Sequence, residues 1–247
     1  MTSVIGLSVD STSYSRATNS VINWAIRSES RYVCIANVHM IMMSQDSLNF
    51  RKVVNAADLV TPDGMPLVWM LRLKGKLNQP RVYGPTLMLH VLKSAACEGI
   101  AVGFYGGTPT LLDSLIKRMQ ARYANLKVAF SFSPPFQPMG LQEDESIIEQ
   151  INQSGTRILF VGLGCPKQEI WMAEHRGKVQ AVMLGVGAAF DFHSGSKLQA
   201  PTWMQRIGLE WLFRLLTEPR RLWRRYFYHN PRFLVLAIAD LLGLIKS

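Results

Sequence analysis

Acidic residues and cysteines are scarce in this chain. Its 247 residues carry 17 Asp and Glu against 27 Lys and Arg, a formal net charge of +10. That surplus suits anionic partners: a nucleotide, a phospholipid, or both. The three cysteines, Cys34, Cys97 and Cys165, are scattered, odd in number and without metal-ligand spacing. They exclude a disulfide framework and fit a reducing cytosol. No apolar run reaches the roughly 20 residues that span a bilayer, and the N-terminal MTSVIGLSVDSTSYS turns polar before a signal-peptide core forms. Repeats, low-complexity linkers, a complete GxGxxG and a P-loop lysine pattern are all missing. No Asp-x-Asp pair follows a candidate strand. The acidic run Glu143-Asp144-Glu145 stands at a predicted helix start, where acids suit the dipole, so no catalytic metal and no cofactor are expected.

What is present is concentrated at the C-terminus. Residues 201–247 hold eight of the Lys and Arg but three of the Asp and Glu, interleaved with Trp, Tyr, Phe and Leu. Cationic heads beside amphipathic rings suit a lipid headgroup layer. Trp203, Ile207, Trp211 and Leu215 recur at helical spacing, with Arg206, Glu210 and Arg214 on another face. Pro219 is expected to interrupt that helix and Pro231 the next one. The last apolar run, from Phe233 to Ile245, contains Asp240 and is too short to cross. Two other readings stay open: amphipathic helices of an ordinary soluble domain, and a nucleic-acid surface. The paired Trp and Leu look more like an apolar face than stacking platforms, so no nucleic-acid partner is expected.

Upstream, short apolar runs alternate with helical patterns, the mark of βα units around a mostly parallel sheet. Strands are predicted at Tyr32–Ala36, Leu59–Thr61, Ile100–Tyr105, Lys127–Phe132, Arg157–Leu163 and Gln180–Val186. Helices are predicted at Ala17–Ser28, His39–Asn55, Pro66–Lys74, Leu87–Glu98, Thr110–Tyr123, Asp144–Gln153 and Lys167–Arg176, with a Pro-rich loop over 133–140. The fold class is α/β, a Rossmann-like mostly parallel sheet flanked by helices, over residues 1–198. A basic, aromatic helical appendage follows over 199–247.

Open parallel sheets bind ligands at the carboxyl ends of their strands. Three such ends carry glycine turns that open helices: Gly106-Gly107-Thr108-Pro109, Gly164-Cys165-Pro166-Lys167-Gln168-Glu169, and Gly187-Ala188-Ala189-Phe190-Asp191. Helix N-termini there could cradle a diphosphate, though such turns are equally often plain geometry. The fourth end reads Thr61-Pro62-Asp63-Gly64-Met65-Pro66. Asp63 either caps the helix opening at Pro66 or acts as a general base toward a sugar hydroxyl. Asn37 ends its strand within reach of either partner. Arg81 is the candidate for leaving-group charge, or else a solvated loop arginine.

The set Asn37, Asp63-Gly64, Arg81-x-x-Gly84, Gly106-Gly107, Gly162-Leu163-Gly164-Cys165-Pro166-Lys167-Gln168-Glu169-x-Trp171, Gly185-Val186-Gly187-Ala188-Ala189-Phe190-Asp191 and Gly208-Leu209-Glu210-Trp211 resembles the WecG/TagA/CpsF glycosyltransferase family. The order is kept across residues 31–228. The resemblance implies inverting, metal-independent transfer of a sugar from a UDP donor to a polyprenyl diphosphate-linked saccharide, at the cytoplasmic face of the inner membrane. It matches the family's base to Asp63, its motif arginine to Arg81 and its glutamine to Gln168, and adds Asn37 to the catalytic group. Donor contacts are then expected from Gly64, Gly84, Gly106, Gly107, Gly164, Lys167, Glu169, Gly187 and Asp191. Lys167 could equally face solvent, and Asp191 could equally brace the turn before it. Arg214, Arg220, Arg221, Arg224 and Arg225 are expected to meet lipid or acceptor phosphates, and a homo-oligomer is possible. Three departures stand out: Ile35 where the family often has Thr, Pro80 where it commonly has Glu, and Gln199 where Arg is usual. The main alternative is a membrane-recruited nucleotide-binding module without catalysis.

Overall fold

Runs such as Val33-Cys34-Ile35-Ala36 and Leu159-Phe160-Val161 are too short for stable helices and apolar on both faces, as central strands of a covered parallel sheet must be. The computed structural model describes residues 1–135 and 141–244. In order, the elements are β1 (Thr2–Val4), β2 (Leu7–Val9), α1 (Tyr14–Ile26), β3 (Arg31–Ala36), α2 (Val38–Asp46), α3 (Leu48–Asn55), β4 (Leu59–Pro62), α4 (Met65–Leu73), α5 (Gly84–Glu98), β5 (Val102–Gly106) and α6 (Pro109–Arg122). They continue as β6 (Val128–Phe132), α7 (Leu141–Gln153), β7 (Ile158–Gly162), α8 (Lys167–His175), β8 (Val182–Gly185), α9 (Ala189–Ser194), α10 (Thr202–Arg206), α11 (Glu210–Thr217) and α12 (Pro219–Leu241). All six predicted strands are present. They form one parallel sheet in the order β4-β3-β8-β7-β5-β6.

Alternate residues of each strand serve opposite layers. Val33 and Ile35 face α1, α5, α6 and α9, whereas Tyr32, Cys34 and Ala36 face α2, α3, α4, α7 and α8. The second layer also receives α12, through Phe233 and Ala237. Side-chain caps set several helix starts: Ser13, Asn37, Ser47 and Thr108 each accept an N–H of the first turn.

Three expectations are corrected, and one element is new. The single helix expected over His39–Asn55 is two, because Ser47 takes an extended conformation, ends α2 and caps α3. The repeat through Trp203, Ile207, Trp211 and Leu215 is also two helices. Gly208, at φ +78°, lies so near α4 that an added Cβ would sit 3.0 Å from the Trp69 ring; a bulkier, right-handed residue there would hold the two apart. Pro231 lies inside α12 and does not end it, since its neighbourhood is exposed and water can take up the carbonyl it frees. The hairpin β1–β2 had no counterpart in the sequence reading. Pro219 does separate α11 from α12, as expected. The Pro-rich loop falls partly outside the described residues, as does Ile245. No helix among the described residues is long and apolar enough to cross a membrane.

Candidate active site

Asp63 leaves the end of β4 beside the end of β3, and its backbone N–H donates to the Ala36 carbonyl at 2.9 Å. Gly64, the residue before α4, packs against Asn37, with a virtual Cβ 3.5 Å from the Asn37 Cα. Asp63 does not cap α4, whose start has no side-chain cap. Its carboxylate is instead held by Arg81, with Nη2 2.8 Å from Oδ1. Arg81 Nε also donates to the Asp63 carbonyl, and the guanidinium lies 4.3 Å above the Tyr83 ring. Arg81 thus brings two donors to one carboxylate oxygen from just before α5, Nη2 at 2.8 Å and Nε at 3.3 Å.

The same Nη2 lies 2.7 Å from Glu210 Oε2, on the first turn of α11. Arg81 Nη1 donates to the Gln205 carbonyl at 3.4 Å. One guanidinium thus joins the carboxylate at the sheet edge to two helices of the C-terminal segment, with 13–15% of each of the three side chains exposed. The sequence reading placed Glu210 on a charged stripe and gave it no role; its partner lies 129 residues away. Burial raises the Asp63 carboxyl above its ordinary value; Arg81 pulls it down and Glu210 pushes it up. A guanidinium shared by two carboxylates has little net charge left for a further anion.

If Asp63 is the general base the sequence suggests, these charges set a pH prediction. In Glu210→Gln the acid limb of the rate profile moves to lower pH, because a charge that opposes ionisation of Asp63 is gone. Arg81→Gln moves the limb to higher pH. The weaker base of Glu210→Gln also lowers kcat by roughly an order of magnitude or less, against the 10²–10⁴-fold typical of losing a general base outright. A pH profile for each variant checks both signs, and equal displacement in one direction would refute the arrangement.

A cavity of about 500 Å³ opens beside Asp63, between α4 on one wall and α11 and α12 on the other. Its polar end includes Asn37, His39, Arg214, Arg225 and His229. Arg214 and Arg225 make no ion pair among the described residues, and the Nε of each is buried without a partner. Burial depresses the Arg225 guanidinium, and the positive field of Arg214 adds to that. Burial also holds His39 at about 3 and lowers His229, leaving both rings neutral near pH 7. Two half-buried guanidiniums without an ion pair favour an anion that would join them. Of the other predicted arginines, Arg220, Arg221 and Arg224 are exposed, and Arg221 pairs with Glu218 at 2.6 Å.

The glycine turns gather at the middle of the sheet. From β5 the chain moves outward to β6, and from β7 inward to β8, so the connections part above Gly106 and Gly162 and leave a crevice there. An added Cβ on Gly106 would lie 2.7 Å from the Gly162 carbonyl, and one on Gly162 would lie 2.5 Å from the Phe190 ring. Thr108 caps α6 beside this crevice. Gln168 is 5% exposed and braces two turns: its Oε1 accepts from Gly164 N–H at 3.1 Å, and its amide packs on Gly185 and Gly187. Glu169 is fully buried below it, takes the Gln168 amide at 2.7 Å, and is raised by burial to about 7. Lys167 is exposed. Asp191 meets Lys197 at 3.5 Å, and Lys197 reaches Glu218 at 3.2 Å, so that acid ties the core to the start of the C-terminal helices. Among the described residues no three His, Cys, Asp or Glu side chains are grouped to hold a metal.

The three departures have local partners. Ile35 packs under Gly84, the Pro80 carbonyl accepts from the Gln79 amide, and Gln199 donates to the Tyr83 hydroxyl at 3.1 Å.

The chain matches the model of the Glycosyl transferase WecG/TagA/CpsF family over residues 2–247. It is 31% identical over 195 residues to the N-acetylglucosaminyldiphosphoundecaprenol N-acetyl-beta-D-mannosaminyltransferase of Bacillus spizizenii strain W23, an alignment covering 78% of this chain and 74% of that protein.

Proposed function

The chain belongs to the WecG/TagA/CpsF family of glycosyltransferases, and from that premise we propose that it moves an N-acetylmannosamine-type sugar, or a related hexose or uronic acid, from a UDP-sugar to a hydroxyl of a polyprenyl diphosphate-linked acceptor. The observation that carries this reading is the placement of Asp63 at the polar end of a cavity that also holds two half-buried arginines, Arg214 and Arg225, each with no ion pair among the described residues. Asp63 takes the hydroxyl proton as the acceptor oxygen attacks the anomeric carbon. The bond from that carbon to the diphosphate oxygen breaks on the opposite face, inverting the centre, and UDP departs with the electron pair. Turn amides at Gly106-Gly107 and Gly164, with the start of α6, face the donor diphosphate. Arg214 and Arg225 meet the acceptor diphosphate. Asn37 and Gly64 shape the sugar subsite, while Gln168, Glu169 and Gly187 keep the turns in register.

The family function calls for a membrane-held acceptor, and the exposed side chains of the last helices fit that setting. Trp203, Trp223, Phe227 and Leu234 are 48–71% exposed, beside the outward Arg220 and Arg224. Residues 199–247 act in this reading as an appendage that docks on the cytoplasmic face of the membrane, and residues 1–198 as the catalytic domain.

Transfer from a panel of UDP-sugars to a short-chain polyprenyl diphosphate-linked amino sugar, with EDTA present, tests the proposal. Turnover with one donor is the expected result. Turnover that EDTA abolishes would remove the metal-independent mechanism, and UDP binding without turnover of any acceptor would favour a binding module.

A further inference from the structure

The cavity beside Asp63 continues, beyond its polar end, as an apolar groove. One wall is α4, through Trp69, Met70 and Leu73; the other is α12, through Leu234, Ile238 and Leu241. The helical span from Arg225 to Leu241 rises about 24 Å at 1.5 Å per residue. At the far end Leu73, Ile238 and Leu241 are 40–69% exposed, so the groove runs out onto the surface. The bottom of the wall is fixed, because Asp240 accepts from Lys74 at 2.7 Å and from the Ile5 N–H at 2.8 Å. A ligand matching the full length must be anionic at one end and a linear hydrocarbon along the rest.

We infer that this groove binds the proximal isoprene units of the acceptor, with its diphosphate on Arg214 and Arg225. The inference rests on the transfer reading above and adds to it: the enzyme grips the lipid itself, not only the sugar and phosphates. Three observations choose this occupant. Charge complementarity is local, since the two unpaired guanidiniums lie at the end nearest Asp63 and the walls beyond are apolar. The cavity, about 500 Å³, has the size of an ordinary small-molecule site and is much smaller than a protein interface. Its open end meets the exposed apolar residues of α12, where a chain anchored in a bilayer would enter. The consequence is selectivity for the carrier, because buried hydrocarbon contributes affinity that no soluble glycoside can match.

Farnesyl diphosphate binding to the full-length protein in detergent-free buffer provides the test, read by calorimetry and by the fluorescence of Trp69 and Trp211 in the cavity wall. Farnesyl diphosphate should bind at least tenfold more tightly than inorganic diphosphate and more tightly than farnesol. Leu234→Glu with Ile238→Glu, both at exposed positions, should cost that advantage at least tenfold while UDP affinity, the check on folding, holds. Equal affinity for farnesyl diphosphate and diphosphate would overturn the inference. So would a double variant that loses only vesicle binding, which would make this a bilayer face, or only a concentration-dependent dimer, which would make it a self-interface. Because binding is measured without transfer, tight farnesyl diphosphate binding by a protein that glycosylates no acceptor would reject the transfer reading and leave the groove standing.

Discussion

Asp63→Asn will abolish transfer, by 10²–10⁴-fold in kcat, while UDP affinity changes little. The amide is nearly the same size and its single oxygen still accepts from Arg81, so the site around it persists. What disappears is the ability to take a proton. The variant also leaves Arg81 with Glu210 as its one anionic partner, which strengthens the tie to α11. Single-turnover kinetics with saturating donor separate chemistry from binding. A variant with more than a tenth of the wild-type rate would assign the proton to another group.

The second large effect divides the arginines by direction. Arg214→Ala with Arg225→Ala should lower kcat/KM for the lipid-linked acceptor by 10²–10⁴-fold. Each replaced contact is a charge-assisted hydrogen bond to phosphate worth about 1.5–3 kcal/mol, and a factor of ten corresponds to 1.4 kcal/mol. Vesicle binding should persist, because both side chains face the cavity. Arg220→Ala with Arg224→Ala should do the reverse. Near an anionic surface each basic residue contributes about 1 kcal/mol, so binding to acidic vesicles falls roughly thirtyfold with turnover of a soluble acceptor unchanged. Co-sedimentation and steady-state rates on the wild type and the two double variants decide the matter. If both pairs behave alike, the inward and outward classes do not exist.

Much of this arrangement was legible in the chain before its structure. Central parallel strands are apolar on both faces and bounded by Gly and Pro, which is why Tyr32–Ala36 and Arg157–Leu163 stood out. Thr108-Pro109 announced a capped helix and supplied one. The hairpin did not stand out, because three-residue strands such as Leu7–Val9 are too short for any period to register. Glu210 was hidden for a different reason. Its meaning lies in Arg81, far away in sequence, and only the turn at Gly208 brings the two together. Gln168 and Glu169 gave the opposite difficulty: polar residues after a strand look exposed to ligand, yet packing against Gly185 draws them under the turn. The five tail arginines expected to meet phosphates were likewise indistinguishable by type, and only helix phase separates Arg225 from Arg224.

The three acids of the C-terminal segment have one more consequence. Glu210 turns to Arg81, Asp240 to Lys74, and Glu218 sits between Lys197 and Arg221. The segment's negative charge is thereby folded inward or cancelled at the seam, and its outward side is cationic without dilution. A molecule polarised in this way has a front and a back. In the proposed docking, an anionic surface attracts that side first, which turns the open end of the groove toward the layer from which a lipid would enter.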